Sequence, residues 1–463
     1  MGSSKWCFTI NFIILLGLVS SALEPADIVI VVLSQTDGYH QAHANLLKDT
    51  VINEASAMDM QPPNFFLTHE HNIHGSWTIL PLILPLFDKY NQAKWFLFCL
   101  DNTAIRLNKL IKVLSRFQSK QKFFIGHALY DQEPTVIHHF ADQTKQLKYP
   151  NTVSGFVISQ SLVASLNDRL IKDGFPENDF SIDASYELSK FIYNSGEGIR
   201  LINVPEFCVV SEKNCATFPK VFHSCSSSIS RENIFIAIKT YDKNHSTRVP
   251  KIIKTWTKYA KNFGFFTNKA DVMLPHSIVV PDTSEGHCDK TYAILEYAQK
   301  IMSKNKIYWL VITDDDTLIS VARLTRLLTC YNPKNLVALG ERYGFRVVSS
   351  DGFEYLTGGA GVVLSAPLVD RIITSGACEC PSSTTPDDMF LFGKCFARIK
   401  VKPIHSELFH QARPSDYALA YLASQEPVSF HKFWMIDPIK MYEEWFAEAD
   451  SVLEDIPFLR SDL

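Results

Sequence analysis

The chain has 463 residues, of which 46% are apolar, 20% charged and 12% aromatic. At ~150 residues per domain this length allows about three domains or two larger ones, and the composition excludes disordered and fibrous classes. Its 49 acidic side chains outnumber 45 Lys and Arg, for a net charge of −4, so no basic surplus coats a phosphate backbone and nucleic acid is not expected as a partner.

The N-terminus carries Lys5, an apolar stretch from Phe8 to Val19 interrupted by Thr9 and Asn11, and the small residues Ser20-Ser21-Ala22. This pattern predicts a secretory signal peptide over residues 1–22, with a signal anchor as its rival. A strand-like run, Asp27–Leu33, follows almost at once and leaves no stem for an anchor. No later run reaches the ~20 apolar residues of a membrane span, so no transmembrane segment is expected in the mature chain.

Of ten cysteines, Cys7 leaves with the signal and Cys99, inside WFLFCL, reads as a buried free thiol. The remaining eight, from Cys208 to Cys395, form an even set that favours disulfides over zinc in an oxidising compartment, with the connectivity open. One glycosylation sequon occurs at Asn244-His245-Ser246. The chain ends Arg460-Ser461-Asp462-Leu463, similar to the Lys-Asp-Glu-Leu retention tetrad with Ser461 replacing an acid. Signal and tail together predict a soluble resident of the endoplasmic reticulum lumen.

Two stretches are alike: WFLFCLDNTAIRLNKLIKVL from Trp95 and WLVITDDDTLISVARLTRLL from Trp309. An offset of 214 lays Asp101 on Asp315, Asn102 on Asp316, Thr103 on Thr317 and Gly126 on Gly340. An offset of 206 lays KYPNTVSGFVIS on EYLTGGAGVVLS, and IVIVV from Ile28 on IFIAI from Ile234. The matched blocks keep their order, which predicts an α/β fold of two tandem, Rossmann-like, mixed-sheet domains. Their expected bounds are 27–207 and 231–447, separated by a disulfide-stapled Cys/Ser-rich linker over 208–230 and followed by a tail over 448–463.

In the second copy, Ile234–Ile238 is a predicted strand, followed by a helix over Val249–Tyr259 with Pro250 in its first turn. Tyr308–Thr313 is a predicted buried strand. Thr317 is expected to cap a helix whose apolar face is Leu318, Val321, Leu324, Leu327 and Leu328. Asp314-Asp315-Asp316 then falls at a strand's C-terminal end, where open α/β sheets bind ligands.

Three adjacent carboxylates repel one another, so the cluster requires a cation or donors. Such hard oxygen ligands suit Mg²⁺ or Mn²⁺; the competing reading is a solvated acidic turn. The first copy has Leu100-Asp101-Asn102 instead, which predicts an active second domain and a degenerate first. Asp387-Asp388 is either a general base pair or a helix-start acid pair favoured by the dipole; its nearest counterpart is Ser181-Ile182-Asp183-Ala184. His410 either completes a metal shell or is simply packed. The Thr357-Gly358-Gly359-Ala360-Gly361 run lets backbone approach a ligand.

The segments IAIKTYDKNHSTRVPKIIKTW, YWLVITDDDT, LTGGAGVVLS, TTPDDMFLFGKC and HSELFHQ together resemble the fringe-like β-1,3-glycosyltransferases. LFHQARPSDY followed by VSFHKFW, the additional N-terminal domain and the retention-like tail are most similar to members that extend O-linked fucose on thrombospondin type 1 repeats with glucose. The resemblance implies GT-A-like domains, UDP-glucose as donor, Mn²⁺, inversion at the anomeric carbon and a glycoprotein acceptor bearing O-fucosylated thrombospondin type 1 repeats. It implies that Asp316 and His410 bind the metal, and that Thr240, Arg248, Asp314, Asp315 and Gly359 meet the nucleotide sugar. Asp388 would be the base, with Asp387 the second choice. The alternatives are a fringe-type transferase using another donor such as N-acetylglucosamine, and an inert glycoprotein-binding or chaperone-like protein.

Overall fold

The structure is a computed structural model that describes residues 22–140, 147–283 and 285–454. The signal sequence through residue 21 and the Arg460–Leu463 tetrad lie outside the described residues.

Strands apolar at every position need cover on both faces. In the first half these are β1 (Ile28–Val32) and β3 (Trp95–Cys99), each buried throughout. They are joined by β2 (Asn64–Leu67), β5 (Phe124–Gly126), β6 (Phe156–Ser159) and β7 (Ile202–Asn203) in a six-stranded sheet ordered β7-β5-β6-β3-β1-β2. Strand β6 alone among them runs antiparallel to its neighbours β3 and β5. A small antiparallel pair stands beside the sheet, formed by β4 (Thr103–Ile105) and β8 (Thr217–Pro219).

The second half repeats the plan. Strands β9 (Ile234–Lys239), β10 (Asn262–Thr267), β11 (Ser277–Val279), β12 (Trp309–Asp314), β14 (Ala338–Gly340), β15 (Val362–Ser365) and β16 (Ile404–His405) form one sheet. Its order is β16-β14-β15-β12-β9-β10-β11, the first sheet's order with one strand added at the edge. Strand β15 is its antiparallel member. The side pair is β13 (Thr317–Ile319) with β17 (Ser429–His431). The two side pairs share their register: Thr103 faces Pro219 and Thr317 faces His431.

Alternate residues of β12 feed opposite cores, Trp309 and Val311 on one face, Leu310 and Ile312 on the other. The halves are joined where Arg342–Phe345 pairs with Phe180–Ser181. Gln35 adds two hydrogen bonds to the His405 backbone, each 2.8 Å.

Three expectations are refined. Strand β8 lies inside the segment read as linker and pairs there with β4. Thr317 stays extended in β13, because its Oγ1 accepts from the Asp314 amide at 3.3 Å and donates to the Gly359 carbonyl at 2.7 Å. The helix therefore starts at Val321, capped by the Ser320 hydroxyl. The segment from Val249 splits into an α-helix ending at Lys254 and a 3₁₀ turn over Trp256–Tyr259. The break at Thr255 turns Trp256 inward, where its indole N–H donates to the Thr317 carbonyl at 3.1 Å.

Four disulfides form: Cys208–Cys215, Cys225–Cys330, Cys288–Cys380 and Cys378–Cys395. Cys99 is buried and free. No helix among the described residues is long and apolar enough to cross a membrane.

Cys225 and Cys330 are 105 residues apart, and Cys208 and Cys215 only seven. Loop-closure entropy therefore predicts that replacing both members of the first pair with Ala costs about 5 kcal/mol, against about 2 for the second. Denaturant midpoints under non-reducing conditions check that ranking.

Candidate active site

Parallel pairing of β9 with β12 sets Lys239 opposite Asp314 at the carboxyl ends of both strands. The Lys239 ammonium lies 3.1 Å from Asp314 Oδ1 and 2.8 Å from Asp387 Oδ2. Burial opposes its charge, but the two carboxylates outweigh that and hold it firmly protonated. Burial alone would raise Asp314, yet Lys239 and His431 keep its carboxyl below the usual range.

The adjacent acid has a different task. Asp315 is 3% exposed and accepts from Thr240 Oγ1 at 2.7 Å, Asn244 Nδ2 at 2.8 Å and Arg248 Nη1 at 3.0 Å. It thus ties down the loop after β9, and the sequon's Asn244 points into this network. Burial pushes its carboxyl up.

Asp316 Oδ2 meets Arg248 Nη1 at 3.0 Å, and its Oδ1 meets His431 Nε2 at 3.2 Å. Ligand atoms from Asp314, Asp316 and His431 lie within 4.8 Å of one another. Two carboxylates and an imidazole suit a cation such as Mn²⁺. His431 is oriented for this: its Nδ1 donates to the Gln411 carbonyl at 3.0 Å, which turns Nε2 toward the acids, where it shares a proton with Asp316 that a bound cation would displace. Gln411 is itself held, its amide donating to Glu341 and its side-chain oxygen accepting from the Ala360 amide at 2.7 Å. Gly359 makes room for the ring, since a Cβ there would stand 2.4 Å from it.

His410 is not brought to the acids. Its Nε2 bonds Gln425 Oε1 at 3.0 Å and its ring stacks on Phe430; burial drives its pKa down to about 3. The histidine that reaches the cluster, His431, stands in the VSFHKFW segment. Lys239 was missed in the sequence, where its signal is a lone cation at the end of an apolar strand.

The two late acids differ as well. Asp387 is locked by Lys239 and by Thr291 Oγ1 at 2.6 Å. Asp388 accepts from the Met389 amide at 2.7 Å, and among the described residues no cation pairs with it. Burial and the charge of Asp387 raise it to about 6. An acid so poised can take a proton near neutral pH.

At the matching positions of the first half stand Leu33, Leu100, Asn102 and Pro219, in place of Lys239, Asp314, Asp316 and His431. Asp101 persists, paired with His40 at 3.0 Å rather than with an arginine.

The Fringe-like family model matches residues 23–178 and 229–452, reaching both halves. A mouse β-1,3-glucosyltransferase is 40% identical over 437 residues, spanning 92% of this chain and 88% of its own length. A human β-1,3-glucosyltransferase is 40% identical over 438 residues, spanning 92% and 86%. The chicken β-1,3-N-acetylglucosaminyltransferase radical fringe is 29% identical over 214 residues, covering 40% of this chain and 56% of its own. With one family matched across both repeats and full-length relatives at this identity, the chain belongs to the fringe-like family and is a β-1,3-glycosyltransferase.

Proposed function

We propose that the chain transfers glucose from UDP-glucose, with inversion, onto O-linked fucose of thrombospondin type 1 repeats in the endoplasmic reticulum lumen. The observation that carries the chemistry is the convergence of Asp314, Asp316 and His431 with Asp388 at one sheet edge. The two glucosyltransferase relatives favour glucose over N-acetylglucosamine, because they align over nearly the whole chain whereas radical fringe aligns over less than half. The N-terminal signal and the Arg460–Leu463 tail support the lumenal assignment.

Asp314, Asp316 and His431 would hold the Mn²⁺, which when bound supplies charge neutralisation for the departing diphosphate. Asp315 fixes Thr240 and Arg248 beside the cluster, where they would bind the nucleotide with Asp314. Gly359 serves by clearing the ring of His431. Asp388 takes the proton of the attacking hydroxyl, which must come within ~3 Å. Direct displacement inverts the anomeric carbon, so one base suffices and the second carboxylate of a retaining glycosidase is not required. Asp387 keeps Lys239 in place instead.

A panel of UDP-sugars, with and without Mn²⁺, against a fucosylated repeat tests the reading. UDP-glucose with Mn²⁺ should be turned over; preference for UDP-N-acetylglucosamine would place the chain with the fringe-type enzymes instead.

His431→Ala should abolish Mn²⁺ binding, whereas His410→Phe, which keeps a ring on Phe430, should leave it intact. Calorimetry on the two folded variants separates the histidines.

Asp388 works only when ionised, so kcat/KM should fall as pH drops through about 6. Asp388→Asn should lower kcat by about 10²–10⁴-fold and remove that limb of the pH profile.

A further inference from the structure

The first half keeps a crevice where the second has its active site. A cavity of about 240 Å³ opens beside Leu100-Asp101-Asn102, Val153 and Asp183. These are the counterparts of Asp314-Asp315-Asp316, Gly359 and the Asp387 region. Glu341, Arg342, His405 and Glu407 of the second half line its other side.

The site cannot repeat the second half's chemistry, because Leu33, Leu100, Asn102 and Pro219 have removed its cation ligands and its lysine. Its charges are satisfied internally. Asp101 pairs with His40 at 3.0 Å, Asp183 with His138 at 3.1 Å, and Arg342 with Glu354 at 3.5 Å. Burial pushes Glu341 up to about 8 and Glu407 up to about 7, which favours their neutral forms. An anion would face four carboxyl groups, and a cation would find no free carboxylate partner.

What remains unmet is neutral or already charge-paired. Buried with no hydrogen-bond partner are Trp77 Nε1, Arg342 Nε and Asn102 Oδ1, all on residues that line the cavity. That is two donors and one acceptor. Each of the three has under 1 Å² of exposed surface, so a ligand in the cavity meets them only as these lining side chains shift. Tyr39, Trp77, Tyr149, Tyr331, Tyr417 and Tyr421 supply aromatic walls. A ligand with apolar C–H faces and hydroxyls that both donate and accept answers both features.

We infer that this interface cavity binds one neutral sugar ring, in the vestigial donor crevice of the first repeat. The inference rests on the cavity and the repeat, not on the identity of the transferred sugar.

Ligand-observed NMR on the full secreted chain tests it, with methyl glycosides of glucose, galactose, fucose and N-acetylglucosamine alongside the free sugars. At least one should bind, and binding should survive His431→Ala in the second half. Asn102→Leu and Trp77→Phe, made separately so that either suffices if the other fails to melt cooperatively, should each weaken binding, by roughly tenfold when combined. Neither should change turnover of the donor. Preference for the methyl glycosides identifies the end sugar of a glycan, and preference for the free sugars a small metabolite; both support the site. Absence of binding by every sugar, or binding unchanged in both cavity variants, overturns it.

Discussion

The second half depends on keeping five carboxylates within one sheet edge. Asp314, Asp315, Asp316, Asp387 and Asp388 would repel one another if each were simply ionised and unpaired. Lys239 resolves the first conflict by bridging Asp314 and Asp387, two acids far apart in sequence. Arg248 resolves the second by bridging Asp315 and Asp316. Among the described residues Asp388 has no paired cation, and burial together with the charge of Asp387 raises its carboxyl.

The two repeats separate fold from chemistry. Both sheets keep the strand order, the one antiparallel strand and the side pair in the same register. Gly126 and Gly340 also correspond, each admitting a close neighbour, Phe156 in one and the Gly361 carbonyl in the other. Within the matched strands apolar residues replace one another, whereas at the strand ends Leu33 and Leu100 stand for the charged Lys239 and Asp314. A buried strand must remain apolar to remain buried, whereas its terminal side chains answer only to the ligand.

Much of this was legible in the chain because apolar runs and repeat offsets are local signals. Ile28–Val32, Ile234–Lys239 and Trp309–Asp314 fall where the pattern places strands, and Cys99 is the buried thiol its surroundings suggest. Thr317 was misread because its extended shape is imposed by hydrogen bonds to Asp314 and to Gly359, more than 40 residues away. Strand β8 went unseen because three residues beside a cysteine pair carry no periodicity. His410 and His431 could not be ranked by spacing. His431 ends β17 and His410 lies in the loop before it, and which ring reaches the acids is decided by Gln411, Gly359 and the stack on Phe430.

That dependence bears on the first half, where recovering the acids alone would not rebuild the arrangement of Asp314, Asp316 and His431. Aspartates at Leu100 and Asn102 would restore the carboxylates, and a histidine at Pro219 would occupy the register position of His431, opposite Thr103. The ring would also have to fit beside Val153. The counterpart of Gly359 is Val153, a buried residue with a branched side chain, and even a bare Cβ at that place in the second half would press to 2.4 Å on the imidazole. Dense packing does not absorb such an overlap without moving backbone. The difference between the repeats therefore lies in packing at Val153 and Gly359 as well as in the side chains at the strand ends.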